Sequence, residues 1–130
     1  MAQVTATLSN YRQAPRKVRL VANLVKGKSL AAAMAELAFL PKRAGGPMKT
    51  LIMSAVANAK NIGVETENLF IKEIRVDKGV VLKRSMPRAR GRAFPINKRT
   101  SHILVILGTE GAKKTKKELR TANKLAKKNV

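Results

Sequence analysis

The stretch from Lys83 to Arg99 reads KRSMPRARGRAFPINKR, and it sets the architecture of the second half of the chain. Its seventeen residues include seven basic and no acidic side chains, and Pro87, Gly91 and Pro95 punctuate it. Because it has too little apolar surface to offset its ordering entropy, it cannot build a core. Left alone it would repel itself and stay mobile, whereas a polyanion could order it. We expect RNA to be that polyanion.

The two runs that flank this stretch predict a pair of β-strands. In the first, Leu69–Leu82, Gly79 interrupts the alternation and should mark a bulge. Three apolar residues of this run are expected on one face: Phe70, Ile74 and Val76. The second, Ile96–Leu107, ends in the apolar run ILVIL, which is typical of a strand covered on much of its surface.

The linking stretch therefore forms a hairpin arm between the two strands. Strands rise about 3.3 Å per residue. If pairing continues from Val80 and Ile96 to a tip near Arg90, the arm extends roughly 25–35 Å beyond the body. A solvated hairpin of that length is at best marginally stable, which favours an arm that threads into something already folded.

Toward the N-terminus the sequence predicts one strand and then helices. The first strand has alternating apolar residues: Val4, Ala6 and Leu8. Pro15 suits the first turn of a helix, and Gly27 can take the left-handed conformation that ends it. A second helix should follow Ser29, a candidate N-cap, and stop at Pro41.

A third helix has the clearest pattern in the chain. Its apolar residues recur at helical spacing and predict a stripe that faces a core; they are Met48, Leu51, Ile52, Ala55, Val56 and Ala59. Its start is expected at Pro47 or in a looser turn from Lys42. The resulting order is one strand, three helices and two strands.

Charge points to the class of partner. The chain of 130 residues has 28 Lys and Arg against 7 Asp and Glu, a formal net charge of +21, which implies a permanent anionic partner. The basic residues form three clusters: one before Glu36, one in the arm, and one from Lys113 to Lys128. The arm favours arginine, which forks onto phosphate and stacks on bases. The few aromatic residues argue against an aromatic platform for single-stranded bases.

Several classes are disfavoured. There is no cysteine, no apolar run near 18 residues and no apolar signal region at the N-terminus. We predict a single domain without disulfides, membrane association or a homo-oligomer, and a cytosolic location.

Catalysis is also disfavoured. Ser101 and His102 are adjacent on a strand, so they point to opposite faces and cannot form a nucleophile–base pair. Glu65 and Glu67 are a carboxylate pair in a polar loop. Gly45-Gly46 lacks the sequence of a phosphate loop. We predict no enzyme, no cofactor and no metal site.

Two other functions remain open. A basic duplex-DNA-binding architectural protein would use the arm in a groove, dimerise, and bind DNA duplex comparably well. An RNA-acting enzyme would need an acid–base constellation that the sequence does not offer.

Four stretches carry a resemblance to a known family. They are APRKVRLVANLVKGKS, SAVANAKN, LKRSMPRARGRA and KRTSHILVIL, and they resemble the bacterial large-subunit ribosomal protein twenty-two family over about residues 11–108. The resemblance implies an α/β (α+β) fold: a two-layer body with a three-stranded antiparallel sheet and three helices, order β-α-α-α-β-β, and a long protruding β-hairpin. It also implies a structural constituent of the large ribosomal subunit, cytoplasmic and in the ribosome. Such a protein binds large-subunit rRNA of the 23S type and aids assembly.

The same resemblance implies partners and site residues. The hairpin tip would help line the peptide exit tunnel, near the nascent peptide and neighbouring ribosomal proteins. The implied tip residues are Arg88, Arg90, Gly91, Arg92 and Ala93. The arm segment tied to macrolide effects in the family corresponds to Leu82, Lys83 and Arg84. With the basic clusters, the predicted RNA-binding set is Arg12, Arg16, Lys17, Arg19, Lys26, Lys28, Lys83, Arg84, Arg88, Arg90, Arg92, Lys98, Arg99 and Thr100.

The implied organisation is one ribosomal-protein domain over 1–111, with the hairpin arm at about 80–98. A Lys-rich C-terminal extension follows at 112–130.

Overall fold

The described part of the chain has three helices and three strands, which follow one another in the predicted order. The computed structural model describes residues 3–66 and 68–109, so the predicted extension at 112–130 lies outside the described residues. The elements are β1 (Gln3–Tyr11), α1 (Pro15–Val25), α2 (Leu30–Phe39), α3 (Gly45–Asn61), β2 (Phe70–Pro87) and β3 (Ala93–Gly108). A short 3₁₀ turn, Ala89–Gly91, joins β2 to β3. The predicted fold class and element order are confirmed.

Local sequence signals place α1 and α2. Pro15 opens α1, and Gly27 follows its end with φ of +77°, as predicted. Ser29 stands at the N-cap of α2, although its side chain makes no capping hydrogen bond. The helix ends at Phe39, two residues before Pro41.

The helix α3 packs the predicted stripe into the core. It begins at Gly45, two residues before Pro47, so of the two predicted starts the structure has the turn from Lys42. The Gly45 N–H donates to the Lys42 carbonyl (2.8 Å), which forms a turn that leads into the helix. Five stripe residues are buried: Met48, Leu51, Ile52, Ala55 and Ala59.

The sheet is antiparallel with the strand order β1-β3-β2, so β3 is central. Its pairs run from Gln3–Gly108 on one side and Phe70–Gly108 on the other. The helices cover one face of the sheet: α3 lies over β1, and α1 lies over β2. Within the apolar run of β3, Ile103, Val105 and Leu107 face the helices and are buried, whereas Leu104 and Ile106 lie on the other face and are half-buried.

The predicted face of β2 was wrong at Phe70. Lys72 is an extra residue between the pairs Ile71–Leu107 and Glu73–Ile106, so the strand is bulged there. A one-residue bulge reverses which side chains point inward. Ile71 is therefore buried with Ile74 and Val76, whereas Phe70 is only half-buried and lies across Gly108.

Two further bulges flank β3 where the arm leaves the body. Gly79 and Val80 of β2 stand opposite Thr100, which confirms the predicted bulge at Gly79. On the other side, the residues between Leu8 and Tyr11 stand opposite His102. Bulges bend and twist a strand, so they mark the place where the body ends and the arm begins.

The segment between α1 and α2 closes the start of β2. The Gly27 N–H donates to the Ile71 carbonyl (2.9 Å), and the Ile71 N–H donates to the Lys28 carbonyl (3.0 Å). The Leu30 N–H donates to the Leu69 carbonyl (3.1 Å). These bonds cover part of a sheet edge that would otherwise be unpaired.

Candidate nucleic-acid interface

The arm is a paired two-stranded ladder. We define it as residues 81–99, in which Val81 pairs with Arg99 and Pro87 pairs with Ala93. Seven consecutive pairs at about 3.3 Å each give about 23 Å before the tip turn. Pairing continues through Phe94 and Pro95.

The two faces of the arm differ in character. Residues directly opposite each other share a face, and successive pairs alternate between faces. One face has the pairs Leu82–Lys98, Arg84–Ile96 and Met86–Phe94. Leu82 and Ile96 are half-buried, while every basic side chain of the arm is exposed. Leu82, Ile96, Met86 and Phe94 thus form an apolar spine on this face, and the exposed cations Arg84 and Lys98 lie beside it.

The tip is a tight turn built on left-handed residues. Arg90 has φ of +60° and Gly91 has φ of +67°. The Arg88 N–H donates to the Arg92 carbonyl (2.8 Å) and closes the turn. The Arg88 guanidinium lies 5.3 Å from the centroid of the Phe94 ring, a cation–π contact that orients it along the arm.

No acidic residue offsets the charge of the arm among residues 3–66 and 68–109. The two ion pairs found there are Lys28–Glu36 and Arg75–Asp77, both in the body. A column of exposed arginines without counter-charges is the electrostatic footprint of a phosphate-binding surface.

In the structure, part of the first basic cluster, the one before Glu36, lies next to the arm. Arg12 and Lys17 border a cleft whose other wall is Asn97, Lys98 and Arg99. We call this the basic cleft; it has a volume of about 570 Å³. Arg43, from the loop before α3, completes it and was missed by the sequence analysis.

Arg43 had a weak signal in the sequence. It follows Lys42 in a short basic pair that lies outside the three basic clusters of the sequence. Its place in the cleft depends on a contact between distant segments, since the Tyr11 hydroxyl donates to the Arg43 carbonyl (3.4 Å).

Other predicted residues of the first cluster lie outside the basic cleft. Arg19 donates from Nε (3.2 Å) and Nη2 (2.9 Å) to the carbonyl oxygen of Val76 in β2, which ties α1 to the strand that leads into the arm. Lys28 forms an ion pair with Glu36, so its charge is offset. Lys26 is exposed beyond the other end of α1, far along the helix from the basic cleft.

Thr100 is buried, with 5% of its surface exposed. Its hydroxyl donates to the carbonyl oxygen of Val80 (2.6 Å) across the bulge. This side chain therefore supports the base of the arm, and the geometry does not present it to a partner as an exposed contact.

A second cleft lies beside the first, between the start of α1 and the base of the arm. We call it the apolar cleft; its volume is about 340 Å³ and its lining is mostly apolar. Its lining residues are Ala14, Pro15, Arg16, Arg19, Lys78, Gly79, Val81, Arg99 and Thr100.

The polar residues considered for catalysis have structural surroundings. Ser101 is fully buried, whereas His102 is half-buried and accepts a hydrogen bond at Nδ1 from the Asn10 N–H (3.1 Å). Glu65 is exposed, and Glu67 lies outside the described residues. Within the described ranges there is no group of three or more potential metal ligands. No helix in the part of the chain that the structure describes is long and apolar enough to cross a membrane.

Comparison with known proteins identifies the class to which this arrangement belongs. Residues 6–108 match the family model described as ribosomal protein L22p/L17e. The chain belongs to this family, and it is therefore a structural, non-catalytic constituent of the large ribosomal subunit, cytoplasmic and in the ribosome.

Curated relatives agree with the family match. The chain is 51% identical over 106 residues to the large ribosomal subunit protein uL22 of Herpetosiphon aurantiacus, covering 81% of this chain and 94% of that protein. It is 48% identical over 109 residues to uL22 of Mesoplasma florum, with 83% and 97% covered. For uL22 of Lactobacillus helveticus the identity is 45% over 108 residues, with 82% and 92% covered.

Proposed function

We propose that the chain binds large-subunit rRNA through its arm and the basic cleft, and that it aids assembly of the subunit. The single observation that carries this proposal is the paired arm, whose arginines are all exposed and have no acidic partner among the described residues. Affinity comes mainly from phosphate contacts and released counterions, because cations dominate this surface.

In the proposed complex the arm reaches inward through folded RNA and its tip helps line the peptide exit tunnel. A paired arm of about 23 Å with an apolar spine and a tight tip is long enough to extend inward from a body on the subunit surface. The tip residues Arg88 to Ala93 would then lie near the nascent peptide and neighbouring large-subunit proteins. The whole of 1–111 is proposed to act as one domain, with 112–130 as an added basic extension.

Filter binding of the full chain to large-subunit rRNA tests the arm. Changing Arg88, Arg90 and Arg92 together to Ala should weaken binding by about tenfold or more at fixed salt, since three phosphate contacts are lost. The matched control changes Lys42, Lys60 and Lys72 to Ala, which removes the same charge from the body. Equal losses for the two variants would contradict the proposal.

Two further measurements separate the alternatives. Binding to a DNA duplex as tight as to rRNA, with a dimer in sedimentation equilibrium, would favour the architectural DNA-binding alternative. A photo-crosslinker placed at Ala93 should reach a stalled nascent peptide in purified ribosomes. Its failure to do so, with rRNA binding intact, would refute the tunnel placement alone.

A further inference from the structure

The basic cleft and the apolar cleft are neighbours that share two residues, Ala14 and Arg99. On one side of Arg99 lie the cations Arg12, Lys17 and Arg43. On the other side lies a smaller recess with a mostly apolar lining. A ligand that spans the shared wall must therefore combine an anionic part with a flat or apolar part.

The dimensions limit the apolar part to something small. A volume of about 340 Å³ is at the lower end of the range for small-molecule sites. Neither a nucleic-acid helix nor a protein helix enters a space of this size. A single nucleobase has apolar faces and a polar edge, and RNA is commonly recognised through bases that are splayed out of the stack.

The recess is formed before any ligand arrives. Arg19 donates a hydrogen bond to the Val76 carbonyl, and the Thr100 hydroxyl donates one to the Val80 carbonyl. These internal hydrogen bonds fix the walls of the apolar cleft. Gly79 lets Thr100 pack closely against one of these walls, since a Cβ at Gly79 would lie 2.4 Å from the Thr100 hydroxyl oxygen. A preformed site binds with little ordering cost.

We propose that the two clefts together hold one unstacked RNA nucleotide, with its base in the apolar cleft and its phosphate in the basic cleft. The inference rests on the proposed rRNA binding and adds a defined site at the base of the arm. Arg99 lies between the two parts, where its guanidinium can contact the phosphate or stack on the base. The absence of an aromatic platform does not matter here, because the base is enclosed by aliphatic carbon and guanidinium groups.

The test compares two oligomers of equal charge with the full chain. One is a heptamer of adenylates, and the other is a heptamer with the same ribose–phosphate backbone but no bases. At fixed salt the phosphate contribution is the same for both. The adenylate heptamer should bind at least about fivefold tighter, since burial of an apolar base face in the cleft is expected to contribute on this order.

A matched pair of variants locates the effect. Val81→Asn makes the wall of the apolar cleft polar and should remove most of the difference between the two heptamers. Val80→Asn is the control, because Val80 is next to it in the chain, is 65% exposed and does not line the cleft. Both changes leave the charge unaltered.

The outcomes are distinct. Equal binding of the two heptamers, or equal effects of Val81→Asn and Val80→Asn, would overturn the nucleotide site. Filter binding to full-length large-subunit rRNA is measured in parallel. If that binding persists while the heptamers do not differ, the site is refuted and the proposed function stands; if rRNA binding is absent, the proposed function itself fails.

Discussion

Thr100 and Ser101 are neighbours on β3 with opposite hydrogen-bonding situations. The Thr100 hydroxyl donates to the Val80 carbonyl (2.6 Å), whereas the fully buried Ser101 Oγ has no hydrogen-bond partner among the described residues. A buried hydroxyl without a partner costs free energy, while a satisfied one contributes modestly. The two residues therefore make opposite predictions.

Ser101→Ala should raise the free energy of unfolding by up to about 1 kcal/mol, because it removes an unsatisfied polar atom. Thr100→Val should lower it by about 1 kcal/mol, because the Val80 carbonyl loses its donor. Urea denaturation of the full chain measures both. Destabilisation by Ser101→Ala would show that its hydroxyl has a partner in solution.

Gly79 lies in the bulge at the base of the arm, where it packs closely against Thr100 of β3. A Cβ added here would lie 2.4 Å from Thr100 Oγ1, 3.1 Å from His102 Nε2 and 3.2 Å from the Thr100 carbonyl carbon. The hydroxyl oxygen and the carbonyl carbon both belong to Thr100, a buried residue of β3, so these two atoms have little room to move.

Gly79→Ala should lower the free energy of unfolding by about 1–3 kcal/mol through overpacking. The double variant Gly79→Ala, Thr100→Ala should lose less than the sum of the two single changes, because the closest contact is gone. Thermal unfolding monitored by circular dichroism gives the four values. Additivity within error would show that the contact does not limit this position.

At the scale of elements, α3 supplies the central part of the core. Met48 and Ile52 are fully buried on its inner face, while Met53 is 55% exposed on its outer face. Asn58 adds a polar link, since its Nδ2 donates to the Thr5 carbonyl of β1 (3.1 Å). The helix thus fixes β1 both by packing and by a hydrogen bond.

Met48→Ala should destabilise the chain by about 2–5 kcal/mol, as expected for a large-to-small change in a core. Met53→Ala is the matched control on the same helix and should change stability by less than about 0.5 kcal/mol. The midpoint of urea unfolding reports both. Comparable effects of the two changes would contradict the observed orientation of α3.

The backbone of the arm is hydrogen-bonded by the pairing of its two strands, but its positive charges have no acidic partner among the described residues. The Met86–Phe94 pair and the contact of Arg88 with the Phe94 ring give it local order near the tip. Its arginines still repel one another in the free chain. Mobility of the tip in the absence of RNA stays a prediction.

At the scale of the whole molecule, charge is distributed unevenly. The exposed face of the sheet has the acidic residues Glu73 and Asp77, with Arg75 paired to Asp77. The arm and the basic cleft have cations only. From this polarity we expect the arm and the cleft to face a polyanion and the open face of the sheet to point away from it.

The salt dependence of rRNA binding follows from this distribution. Changing Arg88, Arg90 and Arg92 to Ala should reduce the slope of log K against log salt by about 2, at roughly 0.7–0.9 per phosphate contact. The Lys42, Lys60, Lys72 variant should leave the slope nearly unchanged. Filter binding across a salt series measures the slopes, and an unchanged slope for the arginine variant would mean that the tip does not contact phosphate.

The sequence by itself determined the features that depend on local chemistry. Three such features are the helical spacing in α3, Pro15 at the start of α1 and the density of arginine in the arm. Each depends only on residues that are close together in the chain. They predicted the element order, the bulge at Gly79 and the cationic arm without knowledge of any distant contact.

Tertiary structure alone decided the features that depend on register and on distant segments. The bulge at Lys72 reversed the expected position of Phe70, because one extra residue changes which face each side chain takes. Thr100 became a support of the arm because the bulge at Gly79 placed the Val80 carbonyl beside it. Arg43 joined Arg12 and Lys98 in one cleft because the fold brings three segments together that are far apart in the chain, and no local pattern encodes that contact.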